Sequence, residues 1–270
     1  MTFLDLENPE HAYLFGFLQA DGHLSQGTGQ KGRLTVELSA RDAPVLEAFQ
    51  RLCPYNSTIS YRTRATNFAA EHTSVQWRVC AREFREELKA LGFPVGRKSL
   101  TAAPPTVPFV ERDYLRGLID ADGSVGRTAQ DLPFVSFTTQ SDALAAFFCA
   151  YVERLTGARR TCGRNKRDAV YNITFTHEDA VSLAADLYYP GSLALARKTL
   201  AAASAAAWVR PDSMRPACRR RRWTASEDAV LLAAVSLKTA AVQLDRTVQG
   251  CSLRRWRLIG PERPRTKWPA

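Results

Sequence analysis

The sequence lacks the features that mark membrane-embedded and secreted proteins. No apolar run approaches the roughly 18 residues of a membrane span, and the start, MTFLDLENPE, lacks the basic-then-apolar layout of a signal peptide. Cysteine is scarce: the six cysteines (positions 53, 80, 149, 162, 218 and 251) form no CxxC pair and have no histidine at ligand spacing. We therefore expect a cytoplasmic protein with reduced thiols, without a disulfide framework or a zinc site.

Acidic charge is in short supply in one part of the chain only. Residues 208–270 hold 14 Lys and Arg against 5 Asp and Glu, a net charge of +9, whereas residues 1–207 hold 23 against 22. A near-neutral body with a basic tail indicates a polyanionic partner, most commonly nucleic acid, and the alternative is a solubilising tail. Because 45% of the residues are hydrophobic, the chain can bury a core, which excludes a mainly disordered protein.

The chain contains an internal repeat of about a hundred residues. LFGFLQADG at 14–22 returns as LRGLIDADG at 115–123, an offset of 101, and Lys98 in GRKSL returns as Lys198 in ARKTL, an offset of 100. Between these points the two halves follow the same order of hydrophobic patterns. TAAPPTVP (101–108) carries three prolines and predicts a short linker between the halves.

The hydrophobic periods predict an αββαββα-like unit, present twice. In the first half we expect a helix up to the motif, strands over 33–39, 57–63 and 74–80, and helices over 43–53 and 82–91. In the second half we expect a helix to 121, strands over 134–140, 159–164 and 170–176, and helices over 142–156 and 178–187.

Each predicted sheet has one apolar face and one polar face. Val75, Trp77 and Val79 alternate with Ser74, Gln76 and Arg78, which is typical of a half-buried strand. Polar side chains of this kind can contact base edges in a major groove. The candidate DNA-contacting residues on these faces are Arg33, Thr35, Glu37, Gln76, Arg78, Ser136, Thr138, Gln140, Asn172 and Thr174.

The two motifs also contain candidate catalytic residues. Gly16 and Gly117 belong to small-residue strips that let two helices pack closely, which would bring Asp21 and Asp122 together at the helix ends. Two acids there repel one another and oppose the helix dipoles, and bound divalent cations reverse both penalties. Oxygen ligands without His or Cys favour Mg²⁺, and we expect Gly22 and Gly123 to end the helices with positive φ.

LRGLIDADG is nearly the full signature of the LAGLIDADG homing endonucleases, and LFGFLQADG resembles a degenerate copy. The chain is similar, over residues 8–205, to a single-chain, two-motif member of that family. This resemblance implies an α+β fold: a pseudosymmetric saddle of two four-stranded sheets on double-stranded DNA. It also implies that Asp21 and Asp122 are catalytic and bind Mg²⁺, or Mn²⁺ in its place. Lys98 and Lys198 would then stabilise the transition state or organise the attacking water.

The tail predicts a second DNA-binding unit. Helices are expected over about 226–236, 238–244 and from Thr247 to about 257, a tri-helical, all-α, helix-turn-helix layout. WTxxED followed by LDRT is similar to a Myb/SANT-like repeat. That resemblance implies base contacts from Thr247, Gln249, Ser252 and Arg255, and phosphate or minor-groove contacts from Arg219, Arg220, Arg221 and Arg222. A free-standing charged helical hairpin is the alternative.

We therefore expect a monomeric, Mg²⁺-dependent, site-specific endonuclease that cuts both strands of DNA, and the family resemblance implies 3′ overhangs. We expect five segments: a first repeat (1–100), a linker (101–112), a second repeat (113–207), a basic linker (208–222) and a Myb-like domain (223–260). Two alternatives stay open, a non-catalytic transcription regulator with the same fold and an RNA maturase. Retention of both acids and both lysines disfavours the regulator, and the Myb-like tail favours duplex DNA over RNA. The Arg-rich, Ala-rich composition is typical of a bacterial or phage genome of high GC content.

Overall fold

A computed structural model describes residues 3–25, 27, 31–66, 69–96, 98–214 and 223–260. The chain divides into two compact units, residues 1–211 and 212–270. Within the described residues, no helix is long and apolar enough to cross a membrane.

The first half of the larger unit is an α+β arrangement around one four-stranded antiparallel sheet. Its helices are α1 (Pro9–Asp21), α2 (Ala43–Leu52) and α3 (Arg82–Ala90), with a 3-10 turn at Ala40–Asp42. Its strands are β1 (His23–Leu24), β2 (Leu34–Ser39), β3 (Ser57–Thr66) and β4 (Ala69–Val79), in the order β1-β2-β4-β3. Trp77 on β4 is fully buried and packs against Phe49 of α2, with ring centroids 5.8 Å apart. The helices therefore cover the apolar face of the sheet and leave the opposite face to solvent.

The second half repeats this order with differences. Its helices are α4 (Glu111–Asp122), α5 (Asp142–Thr156), α6 (His177–Leu187) and α7 (Ala196–Ala206). Its strands β5 (Gly123–Arg127), β6 (Pro133–Thr139) and β7 (Tyr171–Thr176) form an antiparallel sheet in the order β5-β6-β7. Ser141 caps α5 by accepting the Leu144 N–H at 3.1 Å, and Gly157 ends it at φ +73°.

The strand predicted over 159–164 is wrong, and the second sheet has three strands in the described residues rather than the four expected. This stretch, RRTCGR, has no alternating apolar face to bury, and one isolated bridge joins Arg164 to Tyr171. Its side chains pair with α5 instead: Arg164 Nη2 lies 3.0 Å from Asp142 Oδ1, and Arg159 pairs with Glu153. Side-chain contacts to a helix replace the backbone ladder here.

Helices α1 and α4 pack against each other at their glycines. A Cβ atom built on Gly16 would lie 2.2 Å from the Tyr114 carbonyl oxygen, and one on Gly117 would lie 2.3 Å from the Tyr13 carbonyl oxygen. Glycine is required at both positions because the neighbouring backbone occupies the space of a side chain. The close approach predicted from the small-residue strips is therefore present.

The expected positive φ at Gly22 and Gly123 is wrong. Both residues are extended, with φ of −70° and −114°. Glycine is needed there for space: a Cβ on Gly22 would lie 2.6 Å from the Leu18 carbonyl oxygen, and one on Gly123 would lie 2.7 Å from that of Ser136. The chain passes from each motif helix directly into a strand, without a left-handed turn.

The smaller unit contains α8 (Ala225–Ala233), α9 (Leu237–Gln243) and α10 (Val248–Ile259). Thr224 and Glu227 form a capping box at the start of α8, and Thr247 caps α10 by accepting the Gly250 N–H at 3.0 Å. The buried core is small, consisting of Leu231, Ala240, Ala241, Leu244 and Cys251. Trp223 adds to it beneath the Arg246 guanidinium, which lies 4.1 Å from the ring centroid.

Candidate active site and nucleic-acid interface

Asp21 and Asp122 are the last residues of the two packed helices, α1 and α4. Both side chains remain open to solvent. Among the described residues, neither carboxylate accepts a hydrogen bond. Since each stands at the negative end of a helix dipole, the position is unfavourable for an acid without a cation. The structure therefore brings together two carboxylates that have no hydrogen-bond donor among the described residues, as the motif spacing predicts.

The surrounding protein changes the protonation of both acids. Loss of hydrating water in this crowded recess, followed by repulsion from Asp21, raises the pKa of Asp122 to about 6. Desolvation also raises the pKa of Asp21, against the attraction of Lys98 and Lys198. The predicted repulsion between the two acids therefore contributes to the raised pKa of Asp122, and desolvation is the larger cause.

Lys98 and Lys198 both lie at the ends of the motif helices. Lys98 Nζ donates to the carbonyl of Leu18 at 2.9 Å and to that of Gly22. Lys198 Nζ donates to the carbonyls of Ile119, Asp120 and Gly123 at 2.6, 2.7 and 2.8 Å. Desolvation lowers the pKa of each lysine to about 8, against attraction by nearby carboxylates. Both side chains therefore satisfy helix-end carbonyls, a role that the sequence did not indicate.

Lys198 also lies on an element that the sequence analysis missed. The stretch ARKTLAAASAA forms α7, whose buried residues Lys198, Ala202 and Ala205 include no large apolar side chain. The helix begins two residues before Lys198 and directs this side chain, only 5% exposed, beneath the end of α4.

A cavity of about 250 Å³ adjoins the Asp122 carboxylate. Lys98, Asp122, Gln19, Thr138 and Gln140 are among its lining residues. Two predicted catalytic residues and two predicted DNA-contacting residues therefore share one recess.

The donor set fits Mg²⁺ only in part. Across the described ranges, no group of three or more His, Cys, Asp or Glu side chains could enclose a metal ion. Mg²⁺ is commonly held by one or two carboxylates together with substrate phosphates and water. The carboxylates of Asp21 and Asp122 match that arrangement, in which nucleic-acid phosphates supply the remaining oxygen ligands.

The polar sheet faces match the sequence prediction. Thr35 pairs with Arg78 and Glu37 with Gln76 across β2 and β4, while Ser136 pairs with Thr174 and Thr138 with Asn172 across β6 and β7. All eight side chains are exposed or half-buried. Arg33 precedes β2 and is exposed, and Gln140 follows β6.

Strand β3 extends the same face, although none of its residues is among those predicted to contact DNA. Thr58 is the register partner of Arg78, and Ser60 is that of Gln76. Arg62 and Arg64 continue this row, and Arg64 lies beyond the predicted strand end at 63. Arg64 also lies 3.6 Å from Glu37, so one predicted contact residue already has a cationic neighbour.

The residues at the sixth motif position, Gln19 and Asp120, serve the helix interface. Asp120 is buried and accepts hydrogen bonds from the Tyr13 hydroxyl, the Tyr188 hydroxyl and the Leu195 N–H, each at 2.7 Å. Gln19 accepts from the Tyr114 hydroxyl and donates to the Ala103 carbonyl at 2.8 Å. The difference between the motifs therefore changes an interior contact and leaves both acids in place.

In the smaller unit, the predicted contact residues lie along α10. Gln249 and Ser252 are exposed, Arg255 is half-buried, and the three are spaced along one side of the helix. Thr247 is exposed and engaged as the helix cap. Arg219, Arg220, Arg221 and Arg222 lie outside the described residues.

Comparison with known protein families gives a match in the second half of the larger unit. Residues 109–187 match the family described as LAGLIDADG-like domain. The match includes α4, Asp122 and the strands β5 to β7, which agrees with the resemblance drawn from LRGLIDADG.

Two curated relatives are tRNA-splicing ligases named RtcB. The protein from Methanopyrus kandleri is 33% identical over 147 residues, which are 48% of this chain and 14% of that protein. The protein from Pyrococcus abyssi is 25% identical over 194 residues, 63% of this chain and 21% of that protein. The chain thus spans between a seventh and about a fifth of the curated relatives it matches.

The chain is similar to three solved structures. They are a mesophilic variant of the homing endonuclease I-DmoI (TM-score 0.49, 15% identity, 73% of this chain and 98% of that one), I-SmaMI bound to uncleaved DNA with calcium ions (0.41, 13%, 68% and 86%), and full-length DUF199/WhiA from Thermatoga maritima (0.45, 12%, 96% and 94%).

Proposed function

We propose that this protein is a Mg²⁺-dependent, site-specific endonuclease that cuts both strands of duplex DNA, with the smaller unit as an additional DNA-binding module. The observation that carries the proposal is the pair of open carboxylates, Asp21 and Asp122, at the ends of two tightly packed helices. These acids destabilise the free protein, so the natural explanation for their placement is a cationic ligand.

The sheet faces supply the means of holding a duplex. Two antiparallel sheets expose rows of hydroxyl, amide and guanidinium groups, and an antiparallel ribbon fits the major groove of B-DNA. Thr35, Gln76 and Arg78 on the first sheet and Thr138 and Asn172 on the second present both donors and acceptors. Mixed donors and acceptors favour the reading of particular base pairs over uniform attraction to phosphate.

Asp21 and Asp122 would hold Mg²⁺ against the phosphodiesters to be cut. When bound, the metal supplies charge neutralisation and a more acidic bound water. The protein holds the two carboxylates at a fixed spacing through the glycine contacts of α1 and α4, which limits the reorganisation required at the phosphate. Lys98 and Lys198 bring positive charge to the same place, which offsets the two acids and favours approach of the DNA backbone.

Hydrolysis then requires water to attack phosphorus in line with the leaving oxygen. One acid at the end of each motif helix allows one cut in each strand, and 3′ overhangs follow if the chain behaves like the family it resembles. The smaller unit would lengthen the footprint through Gln249, Ser252 and Arg255 on α10, with its net positive charge contacting phosphates.

The rival assignment is a binding protein with the same fold. Polar sheet faces would serve such a regulator equally well, but it would gain nothing from a destabilising carboxylate pair. RNA ligation is not part of the proposal, because the chain spans so small a part of the two ligases that it matches.

The proposal is tested by incubating the full chain with a library of randomised DNA duplexes and Mg²⁺, then sequencing the ends produced. We expect one recurrent sequence at the ends, cut on both strands. The Asp21→Asn/Asp122→Asn double variant is the matched control. A protein that selects one sequence from the library and leaves it intact would be the regulator instead.

A further inference from the structure

The two lysines beside the motif acids differ in how their donors are used. An ammonium group has three N–H donors. Lys198 donates to three carbonyls, those of Ile119, Asp120 and Gly123, so its hydrogen-bonding capacity is filled. Lys98 donates to two carbonyls among the described residues, those of Leu18 and Gly22, so one N–H donates to no carbonyl there, and the ammonium group lies 5.5 Å from the centroid of the Phe93 ring.

The two lysines also differ in solvent exposure, and Lys198 is the more buried of the two. Lys198 is 5% exposed. Lys98 is half-buried and lines the cavity of about 250 Å³ together with Asp122, and Lys198 is not part of that lining. One ammonium group therefore lies behind the helix end and the other lies at the edge of the recess.

We propose that the two lysines have different roles: Lys198 is a positioning residue that caps α4 and aims Asp122, and Lys98 uses its remaining donor on a phosphate oxygen of bound DNA. The part concerning Lys98 rests on the proposed nuclease function. The part concerning Lys198 rests on the hydrogen bonds alone.

The physical reason for a cap is the position of Asp122. An acid as the last residue of a helix adds negative charge where the carbonyls already concentrate it. The Lys198 ammonium opposes that charge and fixes the last turn of α4 and the start of β5 by joining three carbonyls. The backbone that carries the acid is thereby held in place beside the recess, although the carboxylate itself accepts no hydrogen bond among the described residues.

A labelling experiment tests the assignment without requiring catalysis. The full chain is treated with acetic anhydride at low extent, and the acetylation rate of each lysine is measured by mass spectrometry. Lys89 on α3, whose side chain is 36% exposed, is the control. We expect Lys198 to react at least about tenfold more slowly than Lys89, because its amine is released only by local opening. Lys98 should react measurably, and mixed-sequence duplex DNA at low salt should protect Lys98 further.

Variants separate positioning from general stability. In Lys198→Met, amide hydrogen exchange at Asp122, Gly123 and Ser124 should speed up at least tenfold. The Mn²⁺ concentration for half-maximal cleavage should rise, and saturating Mn²⁺ should restore most of the single-turnover rate. In Lys98→Met, exchange at these amides should stay as in the wild type, and the rate should fall at least tenfold at any Mn²⁺ concentration.

Several outcomes would overturn the assignment. Acetylation of Lys198 at the rate of Lys89, or unchanged exchange in Lys198→Met, would remove the capping role. Identical Mn²⁺ responses of the two variants would remove the difference in roles. Wild-type protein that never cuts DNA would refute the proposed function and the role of Lys98, whereas the labelling and exchange results for Lys198 would still stand or fall by themselves.

Discussion

The Tyr13 hydroxyl on α1 donates a hydrogen bond of 2.7 Å to the buried Asp120 carboxylate on α4. In the reverse contact, the Tyr114 hydroxyl on α4 donates to the Gln19 side chain on α1. Tyr114 follows Tyr13 by 101 residues, and Gln19 precedes Asp120 by 101 residues. Each motif helix thus holds the other through a tyrosine. The pair fixes the register in which Asp21 and Asp122 meet.

This relationship predicts unequal costs for two similar substitutions. Tyr13→Phe removes a donor to a carboxylate, a bond that contributes about 1.5–3 kcal/mol, whereas Tyr114→Phe removes a donor to a neutral amide, about 0.5–1.5 kcal/mol. Denaturant unfolding of both variants should show the larger loss of stability for Tyr13→Phe. Equal losses would indicate that Asp120 is protonated in the folded protein.

The glycine contacts predict a strong effect of one methyl group. Gly16→Ala and Gly117→Ala would each place a Cβ within 2.3 Å of a backbone oxygen, so the helices must separate. Overpacking of this kind costs about 1–3 kcal/mol or more. Gly163→Ala is the matched control, since nothing lies within 4 Å of its Cβ position. Thermal unfolding should separate the three, and a Gly16→Ala variant as stable as the control would refute the close packing.

The raised pKa of Asp122, about 6, predicts a pH dependence of stability in EDTA. Between an ordinary carboxyl pKa near 4 and this value, the folded protein holds a proton that the unfolded chain releases, so stability falls as pH rises through that window. The Asp122→Asn variant has no carboxyl group to titrate at this position, so it does not lose stability in this way. At pH 7 it should therefore be more stable than the wild type by at most about 1 kcal/mol, a figure reduced because the carboxylate stays in contact with solvent. Thermal melts from pH 4 to 8 should show the two proteins converging at low pH, and parallel curves would contradict the shift.

Removal of the smaller unit predicts a change in salt dependence. Residues 212–270 carry 13 basic and 5 acidic residues, +8 of the total +10, and a chain ending at Pro211 retains both acids and both lysines. If the removed segment contacts about four phosphates, the slope of log K against log salt should become shallower by about 3.6. The shortened protein should bind DNA more weakly and still cut at low salt. An unchanged affinity and slope would show that the smaller unit does not bind DNA.

Much of the fold could be predicted where hydrophobic periods are strong. The bounds of α5, 142–156, agree at both ends, because a Ser cap precedes the helix and Gly157 follows it. The prediction of a strand over 159–164 failed because RRTCGR has no apolar face, and α7 was missed because its buried face holds Lys198, Ala202 and Ala205 and no large apolar side chain. Two glycines in GSVGR concealed β5, which forms because β6 offers a complete set of partners.

The candidate site, like the fold, could be predicted only in part. The motif spacing predicted the meeting of Asp21 and Asp122 because packed helices bring equivalent residues together. The lysine contacts could not be predicted, since nothing in the sequence shows that an ammonium group some 76 residues later returns to the carbonyls of the helix end. Such long-range hydrogen bonds are set by tertiary structure alone.

In the proposed function, Asp21 and Asp122 hold the metal that is required to cut DNA. The most direct measurement is cleavage of the site selected from the library, comparing the wild type with Asp21→Asn and Asp122→Asn at equal occupancy of the DNA, in Mg²⁺ and in excess EDTA. We expect the wild type to cut both strands in Mg²⁺ and not in EDTA. In each variant the cleavage rate should fall at least about a hundredfold while binding is largely retained, because an amide preserves the shape of the side chain and weakens metal ligation. Full cleavage by either variant, or by the wild type in EDTA, would contradict it.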